Sequence, residues 1–151
     1  MNDTMQLTDT VVAEIDIDAP PEHVFQAWID PQQRLAWWGD ESTYRCRTME
    51  SDLRVGGRWR TDGKSAEGKD FSVWGEYTRI DPPHALAFTW NHDWGDDDQP
   101  QTHVLIELTP TSSGTHVAVT HSGFVSAKAR DDHERGWGRV LGWLGAYMQR
   151  R

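Results

Sequence analysis

The sequence GWGRVLGWLGAYM, residues 136–148, combines the apolar spacing of a helix with an unusual number of glycines. At about 100° per residue, one broad arc collects six large side chains, Trp137, Val140, Leu141, Leu144, Tyr147 and Met148. Gly138, Gly142 and Gly145 form a stripe on the flank of that arc, although each glycine costs a helix ~1 kcal/mol relative to alanine. The stripe either lets a neighbouring element, a partner subunit or a ligand approach the helix backbone closely, or it has been left by neutral sequence drift.

The chain before this helix is mostly strand. Residues 10–18 alternate apolar and polar side chains, the pattern of a half-buried strand, and six further strands are predicted between Thr43 and Phe124. Tight turns join them, which predicts an antiparallel meander. Asp131 and Glu134 have the spacing of a capping box and predict the start of the last helix.

Two short helices are predicted between the first and second strands. Asp18 or Ala19 can cap the first, and the two prolines that follow suit its first turn. Asp30 caps the second helix, which opens at Pro31 and is ended by Gly39. The expected order is therefore strand, two short helices, six strands and a long helix.

Composition limits the function classes. The 151 residues carry a net charge of −9, so phosphate backbones repel the chain and nucleic-acid binding is not expected. Cys46 is the only cysteine, and the first ten residues are polar, so we expect a cytoplasmic protein without a secretory leader or membrane span. Nine tryptophans indicate either a core built from indoles or a cavity lined by them.

Five stretches resemble one known family: APPEHVFQAWIDPQQRLAWWG, VGGRWR, GEYTRIDPPHALAFTW, GTHVAVTHSGF and GWGRVLGWLG. They are similar to the activator of heat-shock-protein ATPase homologue-like group, within the SRPBCC or START-like helix-grip superfamily. The resemblance implies an α+β helix-grip fold. In that fold a curved antiparallel sheet of six to seven strands follows two short helices, and a long C-terminal helix lies across the sheet. The expected organisation is one domain over residues 8–151, preceded by a flexible segment at residues 1–7.

A helix-grip fold leaves room for a cavity between the long helix and the sheet. The inward faces of the predicted strands and helix then supply a mostly aromatic lining, and Trp37 and Trp38 are expected near its mouth. The candidate ligand-binding residues are Trp37, Trp38, Phe71, Tyr77, Phe88, Trp90, His92, Val119, His121, Trp137, Leu141 and Leu144. The alternative is that these side chains simply fill the core.

His121 stands at the end of an apolar strand face. A neutral imidazole there could orient a ligand or act as an acid or base, but it could equally be a hydrogen-bonded core histidine. No metal-ligand spacing, phosphate-binding loop or GxSxG elbow is present, so no cofactor or metal is expected. The acidic stretch at 91–100 is predicted to be a solvated hairpin loop.

Three functions follow as hypotheses. The first is binding of a small hydrophobic or aromatic molecule in the internal cavity. The second is a cyclase- or hydrolase-like enzyme that acts on a bound hydrophobic substrate. The third is a protein–protein adaptor like the chaperone activators, a role that the resemblance assigns to larger eukaryotic relatives with an additional domain. A homodimer is compatible with each hypothesis.

Overall fold

The computed structural model describes residues 9–94 and 100–150, which form eight strands and three helices. In chain order they are β1 Thr10–Ile17, α1 Pro21–Ile29, α2 Pro31–Trp37, β2 Gly39–Asp40, β3 Tyr44–Ser51, β4 Arg58–Ser65, β5 Asp70–Asp81, β6 Ala85–His92, β7 Thr102–Pro110, β8 Thr115–Ser122 and α3 Ala127–Arg150. The predicted flexible segment 1–7, and residues 95–99 of the predicted acidic loop, lie outside the described residues.

All eight strands belong to one curved antiparallel sheet, in the order β1-β8-β7-β6-β5-β4-β3-β2. The first strand pairs along its full length with the last, with Thr10 opposite Ser122 and Ile17 opposite Thr115. The helix-grip prediction is confirmed, except that the sheet has eight strands rather than six to seven. The additional strand is the two-residue β2, which pairs with β3.

The two short helices lie where the sequence predicts them, but their ends differ in detail. Asp30 caps α2 as expected, because its side chain accepts a hydrogen bond from the Gln32 N–H at 3.1 Å. The cap predicted for α1 is wrong, since Pro20 occupies that position without a side-chain bond. Gly39 does not end α2 but begins β2, at a φ of +116° that favours glycine.

The long helix α3 begins four residues earlier than the predicted capping box. Ser126 Oγ accepts from the Ala129 N–H at 3.1 Å and caps it. Asp131 and Glu134 instead form ion pairs with Arg130, at 3.1 and 3.2 Å. The Arg130 Nε–H also donates to the Thr10 carbonyl at 3.1 Å, which ties the start of α3 to β1.

Five of the six side chains of the apolar arc of α3 are buried, as their spacing predicts, whereas Tyr147 is half-buried and its hydroxyl donates to Gln33 Oε1 at 3.1 Å. The glycine stripe is not a close contact within the chain. A Cβ built at Gly138 or Gly142 meets no atom within 4 Å, so no described part of this chain is the close neighbour at these two positions. Only at Gly145 does a Cβ approach a neighbour, Ile15 Cδ1, at 3.0 Å.

Six of the nine indoles form one continuous cluster inside the fold. Neighbouring ring centroids lie 5.1–6.4 Å apart, in edge-to-face, tilted and stacked arrangements that aromatic pairs prefer. The cluster consists of Trp28, Trp37, Trp38, Trp59, Trp90 and Trp137. It joins α1, α2, the sheet and α3, and four of its six rings line the site described next.

Candidate functional site

A cavity of about 470 Å³ lies between the first half of α3 and the inner face of β3–β6, with α2 at one end. Seven aromatic side chains contribute to its wall: Trp38, Tyr44, Trp59, Phe71, Trp90, Trp94 and Trp137. Natural ligand pockets usually measure ~300–1,000 Å³ and are mostly apolar with a few polar groups. The cavity has this size and this kind of wall.

Trp38 contacts two other rings of the aromatic wall. It stacks on Trp90 with centroids 6.4 Å apart and meets Trp137 edge to face at 5.8 Å. Its indole N–H donates to the Tyr44 hydroxyl at 2.9 Å, so the one polar atom of the ring is satisfied. The Trp90 indole N–H, in contrast, is buried and has no hydrogen-bond partner among the described residues.

Arg34 is the charged group of the buried wall. Its side chain is 4% exposed, and its guanidinium carbon lies 4.7 Å from the Trp38 ring centroid and 5.5 Å from that of Trp59. Burial lowers the pKa of this guanidinium, yet arginine stays protonated in proteins. A cation therefore lies between two aromatic rings of the cavity.

His133 lines the cavity from α3 and is 8% exposed. Its Nδ1 lies 2.8 Å from the Ala129 carbonyl oxygen, which can only accept, so Nδ1 carries the hydrogen. Burial lowers the pKa of the ring, which favours the neutral form. Nε2 then carries a lone pair, and this buried atom has no hydrogen-bond partner among the described residues.

Exposed residues mark the mouth of the cavity. The turn between β4 and β5 contributes Glu67 and Lys69, and α3 contributes Asp132, Arg135 and Arg139, so both charge signs are present. Gly136 also lines the cavity, and a Cβ built there meets no atom within 4 Å. This glycine keeps the mouth free of a side chain on the helix side.

The structure brings four of the twelve predicted site residues to the cavity wall: Trp38, Phe71, Trp90 and Trp137. The other eight do not line it. Trp37, predicted at the mouth, is buried between α1 and α2 and donates its N–H to the Ala27 carbonyl at 3.0 Å. Leu141, Leu144 and Val119 are packed in the core.

The remaining strand residues do not line the cavity themselves, and each contacts another side chain. The Tyr77 hydroxyl is 2.7 Å from Ser51 Oγ. Phe88 packs against Trp59 with ring centroids 5.2 Å apart. His92 stacks on Trp94 at 4.2 Å.

His121 is a core histidine rather than a cavity residue. It is fully buried, and its Nδ1 accepts from the Trp137 indole N–H at 2.9 Å, because an indole nitrogen can only donate. The hydrogen therefore lies on Nε2, which is 2.7 Å from Thr102 Oγ1, and that hydroxyl in turn donates to the Trp90 carbonyl. Burial lowers the pKa of this ring well below its usual value, consistent with a neutral imidazole.

Sequence reasoning missed Arg34 and His133 as cavity residues. Each precedes a cavity tryptophan by four residues, Arg34 before Trp38 and His133 before Trp137. Residues four apart share one face of a helix, so these spacings place a polar side chain on an apolar face. That signal was available in the sequence.

Two other features of the described chain bear on function. Residues 9–94 and 100–150 contain no group of three or more His, Cys, Asp or Glu side chains that could hold a metal ion. No helix within those same ranges is both long enough and apolar enough to cross a membrane.

A profile of the family described as "Activator of Hsp90 ATPase homolog 1-like protein" matches residues 18–149. Among solved structures, a Chromobacterium violaceum protein is 27% identical with a TM-score of 0.80, over 91% of this chain and 96% of that one. The AHSA1 protein from Silicibacter pomeroyi is 26% identical with a TM-score of 0.79, over 93% and 97%. A Mesorhizobium loti protein is 26% identical with a TM-score of 0.75, over 93% and 97%. No curated protein matches the chain.

Proposed function

The chain belongs to the family of activator of Hsp90 ATPase homolog 1-like proteins, and on this premise we propose that it binds a small hydrophobic or aromatic ligand in the cavity. The observation that carries the proposal is the cavity wall of seven aromatic side chains. The recess of about 470 Å³ beside these rings opens to solvent at its mouth, and its size and mostly apolar wall are those of a small-molecule site.

The ligand-contacting residues in this proposal are Trp38, Phe71, Trp90 and Trp137, joined by Trp59 and Trp94. The flat rings of the wall favour a flat or compact apolar molecule, because such a ligand can stack on one ring and meet another edge to face. The ligand would enter at the mouth beside Gly136.

The test uses an uncharged aromatic probe, N-phenyl-1-naphthylamine, whose fluorescence rises when it leaves water. We expect saturable binding at one site per chain. Gly136→Phe should place a ring in the open space at the mouth. A clash between this ring and the probe of about 1–3 kcal/mol should weaken binding by about tenfold or more.

Gly138→Phe is the matched control. It makes the same change two residues away, where a Cβ also has open space but the position does not line the cavity. This variant should bind the probe like the unaltered chain. Equal binding by all three proteins, or no binding by any of them, would contradict the proposal.

An enzyme is the second candidate, and His133 is the observation in its favour. Its Nε2 lone pair is buried at the cavity, whereas both nitrogens of His121 are already occupied. His133 lacks the carboxylate that usually orients a catalytic imidazole, because its Nδ1–H donates to a backbone carbonyl. Hydrolysis of a p-nitrophenyl ester that is lost in His133→Asn, with probe binding retained, would favour this candidate.

The adaptor hypothesis gains less support. Its expected signature is an apolar surface patch with no room inside the fold. The described chain has a cavity between α3 and the sheet instead.

A further inference from the structure

Arg34 differs from the paired arginines on the surface of this protein. Six arginines that are partly or fully exposed have a carboxylate oxygen within 3.3 Å: Arg45, Arg54, Arg60, Arg79, Arg130 and Arg135. Arg34 is buried, and its Nε has no hydrogen-bond partner among the described residues. The buried guanidinium, which loses most by leaving water, thus lacks the carboxylate partner that these six surface arginines have.

The rings around Arg34 compensate only part of this loss. Trp38 and Trp59 present their faces to the guanidinium at 4.7 and 5.5 Å, which is an attractive cation–π arrangement. A ring face satisfies no N–H donor, however, and Arg34 Nε is buried without an acceptor. Planar guanidinium groups of this kind are most strongly satisfied by an anion with two or more oxygens.

The buried part of the cavity wall offers no competing negative charge. The acidic residues that line the cavity, Glu67, Asp70 and Asp132, are all exposed at its mouth. The side chains that share the buried wall with Arg34 are neutral, including Cys46, whose thiol pKa is raised by burial. Arg34 is therefore the only charged side chain on the buried wall within the residues that the structure describes.

From these contacts we infer that the ligand is a small aromatic monoanion, whose sulfonate- or carboxylate-type group pairs with Arg34 while its apolar body lies against the neighbouring indoles. This inference rests on the proposed binding function and specifies the chemical class of the ligand. Arg34 is stacked on Trp38 and Trp59, which also line the cavity, so an anion bound there brings its attached rings against the same wall.

The test compares two probes with one carbon skeleton. The first is N-phenyl-1-naphthylamine, and the second is 8-anilinonaphthalene-1-sulfonate, which adds a sulfonate. We expect the unaltered chain to bind the sulfonate about tenfold to a hundredfold more tightly, the range of one hydrogen bond to a charged group. Arg34→Met should abolish this preference and leave the affinity for the uncharged probe within about twofold, because methionine keeps the apolar length of the side chain.

Two further variants distinguish direct pairing of the sulfonate with Arg34 from general electrostatic attraction to the cavity. Arg34→Lys keeps the charge and should retain part of the preference for the sulfonate. Arg139→Met removes a positive charge from the exposed mouth, where water screens it, and should change the preference by less than about threefold.

The outcomes distinguish this inference from the proposed function. If neither probe binds the unaltered chain, the proposed function fails and the inference fails with it. If the uncharged probe binds and the sulfonate binds no more tightly, the inference is overturned while the proposed function stands. It is also overturned if Arg34→Met weakens both probes equally, if Arg34→Lys behaves like Arg34→Met, or if Arg139→Met removes the preference.

Discussion

His121 connects three parts of the core through hydrogen bonds with a fixed direction. It accepts from Trp137 of α3, and its other nitrogen faces Thr102 of β7, which donates to the carbonyl of Trp90 in β6. A protonated imidazole would have to donate at both nitrogens, and Trp137 offers only a donor. The fold therefore depends on the neutral ring.

This dependence predicts a loss of stability in mild acid. Burial lowers the pKa values of His121 and His133 in the folded chain, so below their unfolded values of about 6.5 the unfolded state binds more protons. The free energy of unfolding should fall as the pH is lowered from about 7.5 to about 5.5. Urea denaturation across this range would measure the decline.

Two variants identify the groups responsible. His121→Asn should be less stable at neutral pH but show a shallower decline with acid. The exposed His116, whose pKa is raised by hydrogen bonds to Glu14 and Asp16, contributes with the opposite sign. His116→Asn should therefore show a steeper decline. Parallel curves for the unaltered chain and His121→Asn would contradict the assignment.

Gly75 shows how closely the indole wall approaches the sheet. A Cβ at this position of β5 would collide with the Thr89 carbonyl oxygen of β6 and lie 2.8 Å from Trp59 Nε1. Gly75→Ala should therefore destabilise the protein by about 1–3 kcal/mol, the usual cost of overpacking. Denaturant unfolding would measure this loss of stability. Gly136→Ala is the comparison, because a Cβ there meets no atom within 4 Å. Gly56→Ala would not serve, because the φ of Gly56 is +86°. Unchanged stability of Gly75→Ala would show that the two strands can separate without cost.

The glycines of α3 have different surroundings, so we expect Gly→Ala changes along this helix to affect stability to different extents. Gly138→Ala and Gly142→Ala should each stabilise the protein by up to ~1 kcal/mol, because the new methyl group meets nothing and alanine is the better helix former. Gly145→Ala should gain less, since its methyl group lies 3.0 Å from the end of the Ile15 side chain. Thermal and urea unfolding of the three variants would rank them, and destabilisation by Gly142→Ala would indicate a neighbour outside this chain.

The elements themselves could be predicted from periodicity, because alternation and helical spacing are local properties of the chain. All six strands predicted after Thr43 are present, and α3 buries the arc that its spacing indicates. The helix ends were harder to predict, since α3 is capped by Ser126, a residue that no apolar pattern marks. The two-residue β2 exists only through its pairing with β3, which no local pattern encodes.

The site was predicted less completely, for a physical reason. Alternation tells which strand residues face inward, but not which inward residues meet one another and which face a space. Val119 and Trp90 both face inward, yet one is packed in the core and the other lines the cavity. That distinction depends on the distance between α3 and each strand, which is a property of the whole fold.

At the scale of the whole fold, the indole cluster stabilises the core, and four of its six rings line the cavity. Trp28 and Trp90 are both buried and both contact Trp38, with centroids 6.0 and 6.4 Å away, but only Trp90 lines the cavity. Removal of either indole should cost about 3–5 kcal/mol, the usual loss for a buried Trp→Ala change. Stability alone therefore cannot distinguish a wall residue from a packing residue.

Binding measurements on these two variants should distinguish them. Trp90→Ala removes a ring from the wall and should weaken N-phenyl-1-naphthylamine binding by about tenfold, the loss expected from about 1.4 kcal/mol of stacking. Trp28→Ala should bind the probe almost as the unaltered chain does, provided both are compared at a temperature where circular dichroism shows them folded. A probe present at about 100 times its dissociation constant should then stabilise Trp28→Ala by ~2.7 kcal/mol. The same probe concentration should stabilise Trp90→Ala by clearly less. If both variants lose binding to the same extent, the wall is held by the integrity of the whole cluster rather than by the rings that face the space.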